Sequence, residues 1–278
     1  MKIIADSSAD LLVLEGVDFA SVPLKLITSE REYVDDERLD PAEMNADLAR
    51  YKGRSGSSCP NPKEYLEAFG DAEEIFCITI TSALSGSFDA AKVAARDYVA
   101  LHPDRKVSVI DSRSAGAGIT IVVERLRELI GMGLPFEEIE REIRKYNDEA
   151  HLIFALRSLH NLSANGRVSP IAARLAGILG IRIVGEASSA GKLEIVSRAR
   201  GEGKMLSDIL THMKKTGYAG GRIRIHHAEN ASAAEALRTL LQKEYPGASI
   251  SIGEARGLCS FYAERGGLMV GYEGDLLL

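Results

Sequence analysis

The chemistry open to this chain sits in four hydroxyl-rich stretches, around residues 6–8, 55–59, 82–87 and 111–114. The second is the most informative. It offers Ser55, Ser57, Ser58 and Cys59, then passes through Pro60, Asn61 and Pro62 into an amphipathic run ending near Phe69. Asn61 is placed to cap a helix, Pro62 suits its first position, and Glu64 stands three residues after the cap. Hydroxyls and backbone N–H groups beside a helix N-terminus suit an anion. The plain alternative is a polar loop that does no more than cap the helix.

Covalent catalysis has less support. A serine nucleophile elbow needs G-x-S-x-G. Ser85 lies in Ala83-Leu84-Ser85-Gly86-Ser87 and lacks both outer glycines; Ser55, in Gly53-Arg54-Ser55-Gly56-Ser57, lacks one. A triad also needs a histidine held by a carboxylate, and none of the six histidines stands in a recognisable context. His226 and His227 are neighbours on an expected strand, so they point to opposite faces, one towards the core and one towards a loop. They do not chelate a metal together. No G-x-x-x-x-G-K-[ST] run occurs, and Gly116-Ala117-Gly118 lacks the third glycine of a dinucleotide fingerprint. Arg167 and Arg200, each beside a glycine in a polar loop, are candidates to cover an anion or meet an acidic partner. The run 137–144 reads as the solvated face of a helix with Glu/Arg pairs at helical spacing.

The elements that must position these groups alternate. Strands are expected at 2–5, 19–28 (irregular at Pro23), 75–81 and 107–110. Helices are expected at 42–50, 62–69 and 88–100, then to 131 and from 135 to 147. The charged run 30–38 reads as a turn. Strand, polar loop and helix in this order are the signature of a parallel α/β sheet. Loops after the carboxyl ends of parallel strands line one edge, where ligands bind. The loops at 6–8, 82–87 and 111–114 should therefore converge, with 55–59 beside them. The second half reads as strands at 152–156, 181–184, 193–197, 222–226, 249–252 and 266–272. Helices are expected there at 157–167, 169–179, 202–215 and 231–243. The expectation is two α/β domains, 1–150 and 151–278, with a mostly parallel sheet in the first and a ligand cleft between them.

A chain of 278 residues with 45% apolar content can bury a large core, and its net charge of −6 argues against nucleic acid as a partner. Its three cysteines, Cys59, Cys77 and Cys259, are odd in number and show no CxxC spacing, which reads as free thiols in a reducing cytoplasm. No apolar run approaches membrane-spanning length, so neither a signal peptide nor stable membrane insertion is expected. Nothing in the sequence compels a dimer.

Read together, these loops resemble the DegV family over nearly the whole chain. The resemblance is carried by IIADSSADL at 3–11, VPLKL at 22–26, SSCPNP at 57–62 and ITSALSGSFDAA at 80–91. VIDSRSAGAG at 109–118, ANGRVSPIAARLAGILGIRIV at 164–184 and SRARG at 197–201 follow in the same order. It implies two α/β domains with one long-chain fatty acid in an apolar tunnel between them, and no cofactor. It also implies a carrier rather than an enzyme, handing its bound acid to a separate fatty acid kinase subunit that makes the acyl phosphate.

The family's Thr-Ser-Gln-Pro-Ser loop matches residues 57–61, which implies Ser57 and Ser58 at the carboxylate. Its Leu-Ser-Gly-Thr loop matches residues 84–87, which implies the Ser85 hydroxyl and the Gly86 N–H. Tyr262 stands where the family often has a histidine, Glu264-Arg265-Gly266 replaces a Gly-Pro-Gly turn, and Cys59 replaces a glutamine. Glu264 would bring negative charge close to Tyr262. Arg167 would serve the head group and Arg200 the partner surface. The alternative is an enzyme acting on a small acidic or phosphorylated metabolite in the same cleft.

Overall fold

The computed structural model describes residues 1–171 and 180–274. Strand β1 (Lys2–Asp6) leads through a one-turn 3-10 helix, Ser7–Ala9, towards β2 (Asp18–Val22). Pro23 has no N–H to continue a ladder. The expected strand at 19–28 is accordingly two: β2 beside β1, and β3 (Lys25–Ile27), which turns into another sheet. There β3 pairs antiparallel with β4 (Glu32–Val34) and β5 (Gly56–Ser58). The run 30–38 is thus not simply a turn, because pairing with β3 makes three of its residues a strand. Helix α1 (Pro41–Arg50) starts where Asp40 accepts from the Ala42 and Glu43 N–H groups. Helix α2 (Pro62–Phe69) starts with the expected Asn61–Glu64 capping box.

The chain continues through β6 (Glu74–Thr79), α3 (Ser87–Leu101), β7 (Lys106–Asp111), α4 (Ala117–Gly131) and α5 (Phe136–Asp148). Strands β2, β1, β6 and β7 form one sheet in that order, all parallel. Apolar side chains cover both its faces, as a parallel sheet requires. Tyr65, Phe69, Ala91 and Tyr98 of α2 and α3 pack on Ile4, Ile75 and Cys77. Ile119, Val122, Ile139 and Ile143 of α4 and α5 pack on Ile3, Phe76 and Ile78.

The rest builds a second, mixed sheet. Its elements are β8 (Ala150–Leu156), α6 (His160–Ala164), β9 (Ile181–Ala187), β10 (Leu193–Arg200) and α7 (Glu202–Lys215). They continue with β11 (Arg222–His227), α8 (Ala231–Glu244), β12 (Ser249–Glu254), α9 (Gly257–Ala263) and β13 (Leu268–Glu273). The strand order is β10-β9-β8-β13-β11-β12. The helix expected at 157–167 is shorter, and that expected at 169–179 lies mostly outside the described residues. Helices α7 and α8 cover one face through Met205, Ile209, Ala233 and Leu237. The other face meets α4. A Cβ on Gly271 of β13 would fall 2.1 Å from the Ala117 carbonyl oxygen, so glycine permits this close approach. Arg224 of β11 donates to Glu124 of α4 at 2.8 Å across the same contact. Helix α9, absent from the sequence reading, lies against the first half of the chain, with Leu258 and Phe261 in its core.

Candidate ligand-binding site

The three loops after β1, β6 and β7 do converge. The Thr81 N–H donates to the Ser114 carbonyl at 3.0 Å, the Gly116 N–H to the Ser8 carbonyl at 2.8 Å, and the Ser82 N–H to Asp111 at 3.1 Å. Their centre is Asp6, fully buried. It accepts from the Ile80 N–H at 2.9 Å, from the Ser87 hydroxyl at 2.5 Å and from the Ser8 hydroxyl. The Tyr65 hydroxyl completes the chain, 2.6 Å from Ser87. Burial pushes the Asp6 carboxyl above its ordinary range, against the hydrogen bonds from Ser8 and Ser87. Ser7, Ser8, Ser87, Ser112 and Ser114 are consequently buried scaffold rather than donors to a ligand.

The donors that remain open face a cavity of about 580 Å³, within the range of small-molecule sites. Ser57, Ser58, Ser85, Gly86, Arg167 and Tyr262 all line it. Ser57 comes from β5, Ser85 and Gly86 from the start of α3, Arg167 from the chain after α6, and Tyr262 from α9. The Ser57 and Tyr262 hydroxyls are 2.7 Å apart. The Arg167 guanidinium lies 5.7 Å from the Tyr262 ring centre and donates to the Asn165 carbonyl at 2.6 Å. It has no carboxylate partner among the described residues. Ser85 accepts from the Ser87 N–H at 3.3 Å, and the Gly86 N–H has no partner among the described residues. A Cβ on Gly86 would come within 3.2 Å of Cys59 Sγ, so the two loops meet at the cavity mouth.

Away from these donors the wall is apolar: Leu152, Phe154, Leu156, Leu162, Leu193 and Met269 line it. The sequence carries no signal for them, because on strands, and for Leu162 on a short helix, they look like any core residue. It also missed Asp89, which lines the cavity.

Of the remaining expectations, that for Glu264 needs correction. Arg200, expected at the partner surface, ends β10 on an exposed edge and does not line the cavity. Glu264 accepts from the Asn161 N–H at 3.0 Å and lines a neighbouring cleft, so its charge is spent on α6 rather than beside Tyr262. Both histidines are buried: His226 Nδ1 lies 2.8 Å from Asp10, and His227 faces the loop after β11, where its Nδ1 accepts from the Asn230 N–H at 3.4 Å. Among the described residues no His, Cys, Asp and Glu groups cluster as metal ligands, and no helix is long and apolar enough to cross a membrane.

Fold and cavity define an α/β protein that encloses a mostly apolar small-molecule site beside a cluster of hydroxyls and one arginine. The chain belongs to the DegV family, whose model, described as an uncharacterised protein, matches residues 1–274. It is 42% identical over 278 residues to a DegV domain-containing protein of Streptococcus pneumoniae, covering 99% of both chains. Two solved structures match with a TM-score of 0.97, each over 99% of both chains. One is a DegV family protein from Eubacterium eligens loaded with heptadecanoic acid, 41% identical. The other is the Streptococcus pneumoniae fatty acid kinase (Fak) B3 protein loaded with linoleic acid, 42% identical.

Proposed function

We propose that this chain binds one long-chain fatty acid and presents it to a fatty acid kinase subunit, without being the catalyst itself. The observation that carries this reading is the cavity's composition: a long apolar wall next to Ser57, Tyr262, Ser85, the Gly86 N–H and Arg167. The carboxylate is held by these hydroxyls and by the N–H at the start of α3, since charge-assisted hydrogen bonds are short and strong. Ser58 belongs to the same rim. The tail supplies most of the affinity. Burying roughly fifteen methylenes gains about 12 kcal/mol gross, offset by the costs of association and ordering. Residues 1–150 and 151–278 act as two domains closing on the ligand. Arg200, exposed on the edge strand, serves the kinase surface, and the setting is the cytoplasm. No cofactor takes part.

An enzyme for a small acidic metabolite would be served by a short polar cavity, which the apolar wall does not offer. The test is acyl phosphate formation from the loaded protein with a cognate kinase and ATP. Product that depends on both proteins, and falls with Arg200→Ala at unchanged lipid content, supports the reading. Turnover by this chain alone would contradict it.

A further inference from the structure

One strand builds much of the apolar wall. Leu152, Phe154 and Leu156, alternate residues of β8, all line the cavity. Across the pairing with β9, Leu156 stands opposite Ile183, and Phe154 stands opposite Gly185. Across the pairing with β13, Phe154 stands opposite Met269, which also lines the cavity. Residues directly opposite share a face of the sheet, so Gly185, Phe154 and Met269 form one row under the ligand space. Gly185 is buried inside a strand, where glycine weakens the pairing. Its φ is not positive, so no turn or left-handed backbone calls for glycine. What fills its place is the Phe154 ring. A Cβ on Gly185 would fall 2.5 Å from Phe154 Cζ and 2.6 Å from Cε2. The ring tip therefore leans sideways over β9 instead of standing out into the cavity. The Glu194 carbonyl of β10 closes the same space, also at 2.6 Å, beside the shift in register between Ile195 and Ser197.

We infer that Gly185 is a specificity-determining residue: by drawing the Phe154 ring off the cavity it sets the width of the acyl site, and so leaves room for a chain bent by cis double bonds as well as for a straight one. The inference rests on this cavity being the fatty-acid site proposed above.

A ring that has to clear β9 can move only towards the ligand. The opposite face of β8 is closed, with Ile153 and Ala155 packed in the core under α7 and α8. Met269 occupies the β13 side, and its thioether is already pressed against Gly116, where a Cβ would fall 3.1 Å from Sδ. Packed interiors yield little to such a displacement. A saturated acyl chain is a narrow, nearly straight rod. Each cis double bond turns the chain and makes it sweep a wider path. A ring raised into the cavity therefore costs the bent chain more than the straight one. A misfit the size of one methylene in an apolar pocket is worth about tenfold or more in discrimination.

The experiment compares the affinities of stearic and linoleic acids, by titration calorimetry, in the wild type, in Gly185→Ala and in Gly185→Ala combined with Phe154→Leu. Gly185→Ala is expected to lower the affinity for linoleic acid about tenfold relative to that for stearic acid. Adding Phe154→Leu is expected to bring the ratio back to the wild-type value, because leucine removes the ring tip and leaves the Glu194 carbonyl where it is. Equal losses for both acids, or a changed ratio that Phe154→Leu does not restore, would overturn the inference and leave Gly185 as a requirement of the β9–β10 pairing alone. The wild type also gives a reading that needs no variant. Nuclear Overhauser contacts between the Gly185 α-protons and the Phe154 ring protons should be present in the empty protein and persist with linoleic acid bound. Their loss on loading would overturn the inference even where Gly185→Ala fails to fold. Intact contacts in a protein that refuses both acids would instead count against the carrier reading.

Discussion

The Ser57 and Tyr262 hydroxyls lie 2.7 Å apart although 205 residues separate them in the chain. Ser57 sits on a three-residue strand and Tyr262 on a seven-residue helix. Neither element is stable alone: β5 is held by its pairing with β3, and α9 by Leu258 and Phe261 in the core of the first half. The pair thus reports how α9 is seated beside β5 at the cavity.

Removing the hydroxyls should weaken lipid binding without unfolding the protein. Ser57→Ala together with Ser85→Ala should lower fatty-acid affinity by about tenfold or more, on the scale of one or two hydrogen bonds to a charged group. Tyr262→Phe, which keeps the ring beside Arg167, should cost less. Titration calorimetry with a defined fatty acid reads this; unchanged affinity in a folded double variant would remove these serines from the site.

Ser87 should behave in the opposite way. It bridges Asp6 and Tyr65 inside the scaffold, with distances of 2.5 and 2.6 Å. Ser87→Ala leaves a fully buried carboxylate short of a donor and should destabilise the fold by about 1–3 kcal/mol. Denaturant unfolding measures this, and lipid affinity in the folded fraction should stay near wild type. A stable variant with poor binding would reverse the roles assigned to Ser87 and Ser85.

This contrast marks how far the residues alone could be read. The Asn61–Glu64 box was legible because a capping helix writes its signal within four residues. The convergence of the loops after β1, β6 and β7 followed from strand–loop–helix order. Which serines would face inwards did not, since that depends on Asp6 gathering Ser8 and Ser87 around itself. Strand β4 was missed because Glu32–Val34 is a strand only by pairing with β3. Helix α9 was missed for a related reason: its caps, Asp10 and Asp35, stand more than 200 residues away. The family resemblance placed Tyr262 at the site before any helix there was suspected.

Asp35 also makes a stability prediction with a definite sign. Burial raises its carboxyl from the ordinary 3.8 to about 6 in the folded state. A raised carboxyl means the folded chain holds the proton more tightly. Its contribution to stability is therefore fully present below about 3.8 and is lost as pH rises through about 6. Relative to Asp35→Asn, the wild type should gain about 2 kcal/mol of unfolding free energy between about pH 7 and about pH 4. A difference that stays constant with pH would contradict this.

The apolar wall should set chain length. Ala115 lines the cavity between the two halves of the core. Ala115→Leu adds about three carbons to that space, each felt at roughly 0.8 kcal/mol where it displaces ligand. Affinity should fall more for stearic acid than for a chain roughly six methylenes shorter. Equal losses for both chains would place the tail elsewhere.

The central claim is that the cavity holds a fatty acid, and native mass spectrometry of the freshly purified protein tests it most directly. The intact mass should exceed the chain mass by one fatty acid, and solvent extraction should release that lipid in stoichiometric amount. A protein that is empty as purified, and that also refuses added heptadecanoic and linoleic acids, would contradict the account and leave the family resemblance as one of fold alone.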